Sequence, residues 1–439
     1  MRLSLDSEQL RVLNWRTNNS DIAALEGPPG CGKTTVGSAL AIKLIAEGIA
    51  KRVLLVAYTN AAANEFGWEL FHILGPSATN ICIRTGNPTG VDPTLPILFS
   101  RSIDIILKKK IVISTNLSLK RLPTMRFDNM IIDEAGVERI EHLLWPLWFG
   151  VDRSGQAAHK SQQNALAQIN DLMELISRCG AVATVVGDPK QSRPISPINT
   201  DYSAIEWVMK RSRWDTLRIS HRLPDRLSAL VNEFAKYGGL KSAPEIAPRR
   251  LAVEVPPDIE YRDIIQPDEV ITWVDVNGNE RPMGPTSWAN ELEAKACVKI
   301  SNHLAKITRS KSKVIVTRFT AQKHIMRNYL QRMGDYDTKV TTTTGALGTQ
   351  ADIVIFSLVR NNPERNVGAA GTLQDLNVAI SRSKEKLIIL GNFDMMLNGW
   401  TAASSIGHTG GRISAARSLA RLVDSKYGRV VNAPMILRG

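Results

Sequence analysis

The chain has 439 residues, 43% hydrophobic and 22% charged, and its 55 Lys and Arg against 42 Asp and Glu give a formal net charge of +13. That length is too great for one ordinary hydrophobic core and predicts two or three domains, while the composition excludes a disordered or fibrous chain. The positive excess favours an acidic partner such as nucleic acid over a small neutral substrate.

The opening MRLSLDSEQL carries Asp6 and Glu8 and no long apolar run, and no stretch is apolar over the length a bilayer demands, so no signal peptide and no membrane partner are expected. Cys31, Cys82, Cys179 and Cys297 are far apart and form no CxxC pair. This spacing argues against structural zinc and against a disulfide framework, and it fits an intracellular, soluble protein in a reducing compartment.

The first strong signal is GPPGCGKTT at 27–35, where Gly27, Gly30, Gly32, Lys33 and Thr34 fit GxxxxGK[ST]. Glycines permit a tight turn whose N–H groups point inward at phosphate oxygens, and the helix expected from Thr34 to about Ala46 aims its positive end at the same anion. Lys33 would neutralise the β- and γ-phosphates, Thr34 would hold Mg²⁺, and Thr35 adds a second hydroxyl beside it. A strand at Val53–Val56 leads into TNAAANE at 59–65. LKKKI at 107–111 reads either as a solvated face or as part of a grip on a nucleic-acid strand, and ISTN at 113–116 follows a strand. In MIIDEAG at 130–136 the apolar run Met130–Ile132 reads as a buried strand ending in Asp133 and Glu134. Asp133 would bind Mg²⁺, and Glu134 would orient and deprotonate an attacking water, which favours hydrolysis over transfer to a metabolite. The segment AVATVVGDPKQSRP at 181–194 ends the same way, placing Gln191 on the edge of the sheet where ligands of open α/β folds bind, as a candidate sensor of the γ-phosphate or the water.

Between these last two lies an apparent insertion at about 149–165, then an apolar helical face of Leu166, Ile169, Met173 and Ile176, which reads as core packing, as do Trp145 and Trp148 beside Pro146. Further on stand LRISHRLPDR from 217, a proline- and charge-rich stretch at 243–270 that reads as an irregular excursion, TWVDVNG at 272–278, NELEA at 290–294 and VIVTRFTAQ at 314–322. VTTTTGALGTQADIVIFSLVR and LNVAISRSKEKLIILGN follow, then a loop-like 397–412 and an amphipathic basic helix at 413–423 expected to dock.

Taken in this order, from about residue 5 to about 393, the segments resemble the superfamily 1 helicases, in the branch of the up-frameshift helicase and its relatives, and are also similar to nidovirus helicases. The resemblance implies an α/β protein of two tandem RecA-like domains with mostly parallel sheets, with ATP in the cleft between them. We expect the first domain over 1–212 and the second over 213–439. LDSEQ would be the Q motif, with Gln9 reading the adenine edge. Thr59 and Asn60, then Thr115 and Asn116, would touch the nucleic-acid backbone, to which short polar groups bond without reading bases. In the second half, Arg222 and Arg382 would be arginine fingers on the γ-phosphate. His221 stands where the family has a tyrosine that stacks on adenine. Arg318 and Thr342 fall in segments assigned to the strand.

The family pattern breaks at VTTTTGALGTQAD, which keeps Gly348 and Asp352 but has Thr344, Leu347 and Gln350 where an aspartate, a glutamine and a glutamate stand in the family. Those positions link ribose, γ-phosphate and strand, and the amide of Gln350 grips a ribose hydroxyl less strongly than a carboxylate does. The chain opens at the Q motif, so the resemblance implies a minimal motor without the N-terminal modules of larger relatives, one that leaves room for a regulatory protein partner. The expected function is ATP-dependent translocation on single-stranded RNA or DNA, probed against an alternative, an ATP-gated nucleic-acid clamp with little unwinding. A P-loop kinase leaves the motifs after residue 213 unexplained.

Overall fold

The computed structural model describes residues 4–122, 126–148, 181–191, 203–253, 255, 261–308, 310–401 and 414–433. Of these, 4–189 and 203–218 form one compact unit, and 190–191 with 219–433 form a second. The insertion at 149–165, the apolar face from Leu166 to Ile176 and the segment 402–413 lie outside the described residues.

In the first unit, short apolar runs become strands, all but the edge strand β7 buried on both faces, as parallel sheets demand. They are β1 (Ile22–Glu26), β2 (Val53–Ala57), β3 (Cys82–Arg84), β4 (Ile111–Thr115), β5 (Asn129–Ile132), β6 (Ala183–Gly187) and β7 (Trp214–Thr216). Among the described residues they build a seven-stranded sheet in the order β3-β4-β2-β5-β6-β1-β7, every pair parallel. Helix α1 (Ser7–Thr17) starts in a capping box between Asp6 and Gln9, α2 (Lys33–Ala46) follows the glycine loop, and α3 (Asn60–Leu74) follows β2. One face of the sheet packs Leu54, Val56, Val112 and Ile132 into a core with Leu143, Ile205 and Trp207.

β7 corrects the expected domain boundary. Ala24 to Glu26 of β1 pair with Trp214 to Thr216, and Arg218 donates its amide to Glu8, so the first unit runs on to Arg218 instead of ending at 212. Sequence pattern alone missed this because WDT is an edge strand, half exposed and too short to show a period.

The second unit opens with a small parallel pair, β8 (Ile219–Ser220) and β9 (Lys241–Ser242), flanking the helix Asp225–Ala235. Its main sheet uses β10 (Ile271–Asp275), β13 (Lys313–Thr317), β14 (Lys339–Thr342), β15 (Ala351–Ser357), β16 (Ser383–Gly391) and β17 (Arg429–Asn432), while β11 (Glu280–Pro282) and β12 (Trp288–Asn290) form an antiparallel hairpin. Among the described residues this sheet has six strands in the order β14-β13-β15-β16-β10-β17, again all parallel. Its core joins Ile315, Ile355 and Ile388 to Cys297, Ile300 and Leu304 of the helix Glu291–Ile307. The stretch 243–270 is irregular where described, apart from the short helix Arg262–Ile265. The expected C-terminal helix spans Ala415–Leu422 and buries Ala416, Leu419 and Ala420.

Candidate active site

Parallel strands put their following loops on one edge of the sheet, and in the first unit that edge collects the expected chemistry. The loop after β1 turns through Gly30 and Gly32 at φ 78° and 74°, a region that side chains rarely adopt, and Gly27 donates its amide to Gly187 at 2.9 Å. Lys33 folds back over the loop, its Nζ donating to the carbonyls of Gly27 (2.6 Å) and Pro28 (3.3 Å). Thr34 and Thr35 occupy the first turn of α2.

Thr34 Oγ1 donates to Asp133 Oδ2 at 2.9 Å, although the two residues stand 99 positions apart. Asp133 is 3% exposed; burial pushes its carboxyl up, while Lys33, the Glu134 amide and Thr34 draw it back down. A hydroxyl and a buried carboxylate in contact beside a phosphate loop form the all-oxygen donor set that a hard cation such as Mg²⁺ takes, so these residues fit the metal. Glu134 follows in the left-handed region, at φ 59°. Burial, with the charge of Asp133 adding, pushes its carboxyl up to about 7. Both the amide (3.1 Å) and the hydroxyl (2.9 Å) of Thr59 donate to Glu134 Oε2.

Several residues take partners that differ from those expected. Gln9 is 3% exposed; its Nε2 donates to the Cys31 carbonyl of the phosphate loop at 3.2 Å and its Oε1 accepts from the Asp6 amide. The carboxamide braces the phosphate loop. Thr115 and Asn116 are buried as well, Thr115 donating to Ser118 Oγ and Asn116 to the His142 carbonyl. Their side chains thus finish the end of β4 and offer no surface to a strand; the exposed residue there is Leu117. Asn60 is half-buried and accepts at Oδ1 from Arg84 Nη2 at 2.9 Å.

Arg84 is a residue that sequence reasoning missed. Its side chain is fully buried, Nη1 donates to the Thr85 carbonyl, and Nε has no partner. Burial lowers its pKa to about 10, and among the described residues no carboxylate pairs with it. The available signal was a lone arginine closing the apolar strand CIR.

In the second unit Arg222 Nε donates to Gln350 Oε1 at 3.0 Å, and its Nη1 reaches the Ser381 carbonyl at 3.5 Å. Arg382 is 3% exposed; its Nη2 donates to Gln191 Oε1 at 2.9 Å and its Nε to the Val378 carbonyl. Gln191 therefore groups with the second unit although it follows a strand of the first. His221 lies 3.5 Å from Glu245. Arg318 pairs with Asp375 at 2.8 Å, a carboxylate that also accepts from Thr343 and Thr372, and Thr342 Oγ1 accepts the Gly345 amide.

A glycine-turned phosphate loop, a lysine, and a threonine–carboxylate pair at the carboxyl edge of a parallel sheet define a P-loop nucleotide-binding protein. Two family models, each described as an AAA domain, match residues 4–104 and 200–394. The chain is 22% identical to the regulator of nonsense transcripts 1 homolog of Neurospora crassa, over 88% of this chain and 37% of that protein. It is 21% identical to the ATP-dependent helicase NAM7 of Saccharomyces cerevisiae, over 84% of this chain and 40% of that protein. It is also similar to a solved arterivirus nonstructural protein 10 (helicase) with DNA, at 14% identity and a TM-score of 0.45 over 88% of this chain and 63% of that one. The chain thus spans less than half the length of these first curated relatives. It belongs to the superfamily 1 helicases, in the up-frameshift-like branch.

Proposed function

We propose that this chain is an ATP-driven motor that moves along a single strand of nucleic acid, in the 5′ to 3′ direction that the family resemblance implies. The observation that carries this reading is the 2.9 Å contact of Thr34 with Asp133, with Glu134 next in the chain and tied to the segment that opens α3. Magnesium bound with the nucleotide supplies positive charge at the β- and γ-phosphates, and Thr34 and Asp133 are the residues that would hold it. Lys33 exchanges its loop carbonyls for phosphate oxygens. Glu134 orients a water and accepts its proton as the water attacks the γ-phosphorus, giving ADP and phosphate. Arg222 and Arg382 supply guanidinium charge to the equatorial oxygens, with Gln191 set by Arg382.

On the strand side the reading rests on the net charge of +13 and on Asn60 at the start of α3, Arg318 after β13 and Thr342 at the end of β14, side chains of the kinds that bond phosphate and sugar. The alternative, an ATP-gated clamp with little unwinding, is favoured by Gln350, a neutral partner for Arg222.

The deciding experiment is ATP hydrolysis at low salt with no polymer, with single-stranded RNA and with single-stranded DNA, using Lys33→Ala as the blank. The motor reading expects stimulation of about tenfold or more by at least one polymer, on the order of ordinary coupling between two binding sites, lost steeply as salt rises because phosphate contacts release counterions. Turnover above the blank that ignores every polymer sinks it. Stimulated hydrolysis with no displacement of a labelled partner strand selects the clamp.

A further inference from the structure

The first two residues of the TN pair after β2 face different neighbours, and this arrangement reaches from the catalytic carboxylate to the strand side of the sheet. Thr59 caps α3: its Oγ1 accepts from the Ala62 amide at 3.1 Å. A hydroxyl has one hydrogen, and here it goes to Glu134 Oε2, so a single atom joins the helix's first turn to the carboxylate. The backbone amide of Thr59 adds a second bond to the same oxygen. Glu134 stands at φ 59°, a conformation that a non-glycine residue keeps only when its surroundings over-determine it, and Thr59 supplies two of the bonds that do so.

The next residue, Asn60, is locked from the opposite direction. Arg84 can only donate, so the oxygen of the Asn60 carboxamide must face the guanidinium, and its NH₂ is turned away from it. Gly90 closes over this amide so tightly that a Cβ there would stand 2.2 Å from Asn60 Cγ and Nδ2. Arg84 is a buried cation with an unpartnered Nε and no ion-pair partner among the described residues, so it holds Asn60 and also lends positive potential to that end of the sheet. An anionic phosphate accepting from the Asn60 amide would pull on the same turn of α3 that carries Thr59.

We propose that Thr59 is a positioning residue for Glu134, and that the Thr59–Asn60 turn, anchored by Arg84, transmits strand binding to the catalytic carboxylate. This rests on the motor reading above. Strand phosphate at Asn60 fixes the first turn of α3, the turn fixes the Thr59 hydroxyl, and the hydroxyl fixes the Glu134 oxygen that does not take the water's proton. A misplacement of about 1 Å in such a group costs up to about 10²-fold in rate, which is the scale of effect expected.

The test compares wild type with Thr59→Val, which keeps the shape and the backbone amide but removes the hydroxyl, and with Thr59→Ser, which restores it. Steady-state hydrolysis of magnesium ATP is measured without polymer and with saturating polyuridylate or oligothymidylate, and affinity for a labelled oligonucleotide is read by anisotropy. In Thr59→Val, kcat should fall about tenfold or more, polymer stimulation should fall below about twofold, and KM for ATP and oligonucleotide affinity should stay within about twofold, a split that a positioning defect produces. Thr59→Ser should recover both kcat and stimulation. Wild-type kcat and stimulation in Thr59→Val overturn the proposal. So does a loss that Thr59→Ser shares, which assigns the effect to the methyl group, or one matched by an equal rise in KM, which assigns it to substrate binding. Wild type that ignores every polymer removes the motor reading instead, and the Val against Ser contrast in polymer-free kcat still decides the positioning role.

Discussion

The two units present their key polar residues on opposite edges of similar sheets. In the first, Gly27–Lys33, Thr59 and the Asp133–Glu134 pair all follow strands, after β1, β2 and β5, and so line the carboxyl edge. In the second, Gln350 and Arg382 immediately precede β15 and β16, placing the Arg222–Gln350 and Ser381 contacts on the amino edge. Beyond β15, the carboxyl edge of that second sheet is filled by its own side chains. Gln322 bonds Asn290 in both directions and Ser357 besides, and Ser357 and the Val359 amide both donate to Glu293. The usual rule that α/β sheets bind ligands beyond their carboxyl ends suits the phosphate-loop edge of the first unit, whereas the two arginines of the second unit stand at the amino edge. This part of the second unit's edge is occupied mostly by contacts within the fold, whereas the first unit's edge carries two raised carboxylates and a folded-back lysine that a phosphate ligand would draw away from its carbonyls.

The largest test of this contrast removes charge from the second unit's amino edge. Arg222→Ala and Arg382→Ala should each lower kcat by about 10³-fold, the lower end of the range for an arginine finger, while ATP affinity falls far less. Equilibrium binding of a fluorescent nucleotide beside turnover separates the two effects. Wild-type kcat in either variant would show that this edge serves the fold alone.

Much of this was legible in the sequence, for reasons that differ by residue. Thr34 and Asp133 were readable because each sits in a contiguous motif whose chemistry needs the other, and the 99-residue gap between them did not matter. The parallel strands were readable because runs such as VLLVA and ATVVG are buried on both faces. The inward turn of Thr115 and Asn116 was not legible, because a short polar residue at a strand end can satisfy the backbone as easily as face outward, and local pattern carries no direction. Gln9 sits in α1 and turns its carboxamide to the phosphate loop, a contact that local pattern does not announce. Arg84 and its hold on Asn60 were invisible, since a contact between an edge strand and a helix start depends on the path of the chain between them.

A smaller effect should come from the filled carboxyl edge beyond β15. Glu293 is fully buried, burial pushes its carboxyl up from 4.5 to about 7, and its Oε2 has no partner, which is what a protonated carboxyl tolerates best. The folded state keeps this proton where the unfolded chain has lost it. The contribution is therefore fully present below pH 4.5 and disappears as pH rises through about 7. Lys386, pushed by burial from 10.5 down to about 7 with Glu269 opposing, has the opposite sign: it weakens the fold below about 7, and stability recovers as pH climbs toward 10.5. In urea unfolding, Glu293→Gln should match wild type in unfolding free energy at low pH and exceed it at pH 8 by about 2–3 kcal/mol, the scale of such a shift. A difference that does not change with pH would mean the carboxyl is ionised throughout.

The smallest effect probes the amino edge from its neutral member. Arg222 rests on the exposed Gln350 at 3.0 Å, a bond of charge to amide. Gln350→Glu turns that contact into an ion pair, which at an exposed site gains only about 0–1 kcal/mol. If the guanidinium must leave Gln350 to meet the γ-phosphate, the added attraction is lost on the way to the transition state, and polymer-free kcat should fall by about two- to fivefold at low salt. Raising the salt to about 0.5 M should erase most of the difference, because an exposed pair is screened. Polymer is left out so that the strand's own salt dependence does not enter. An equal deficit at both salt concentrations would locate the effect in the shape of the loop before β15, and a gain in kcat would mean that Arg222 works while still bound to residue 350.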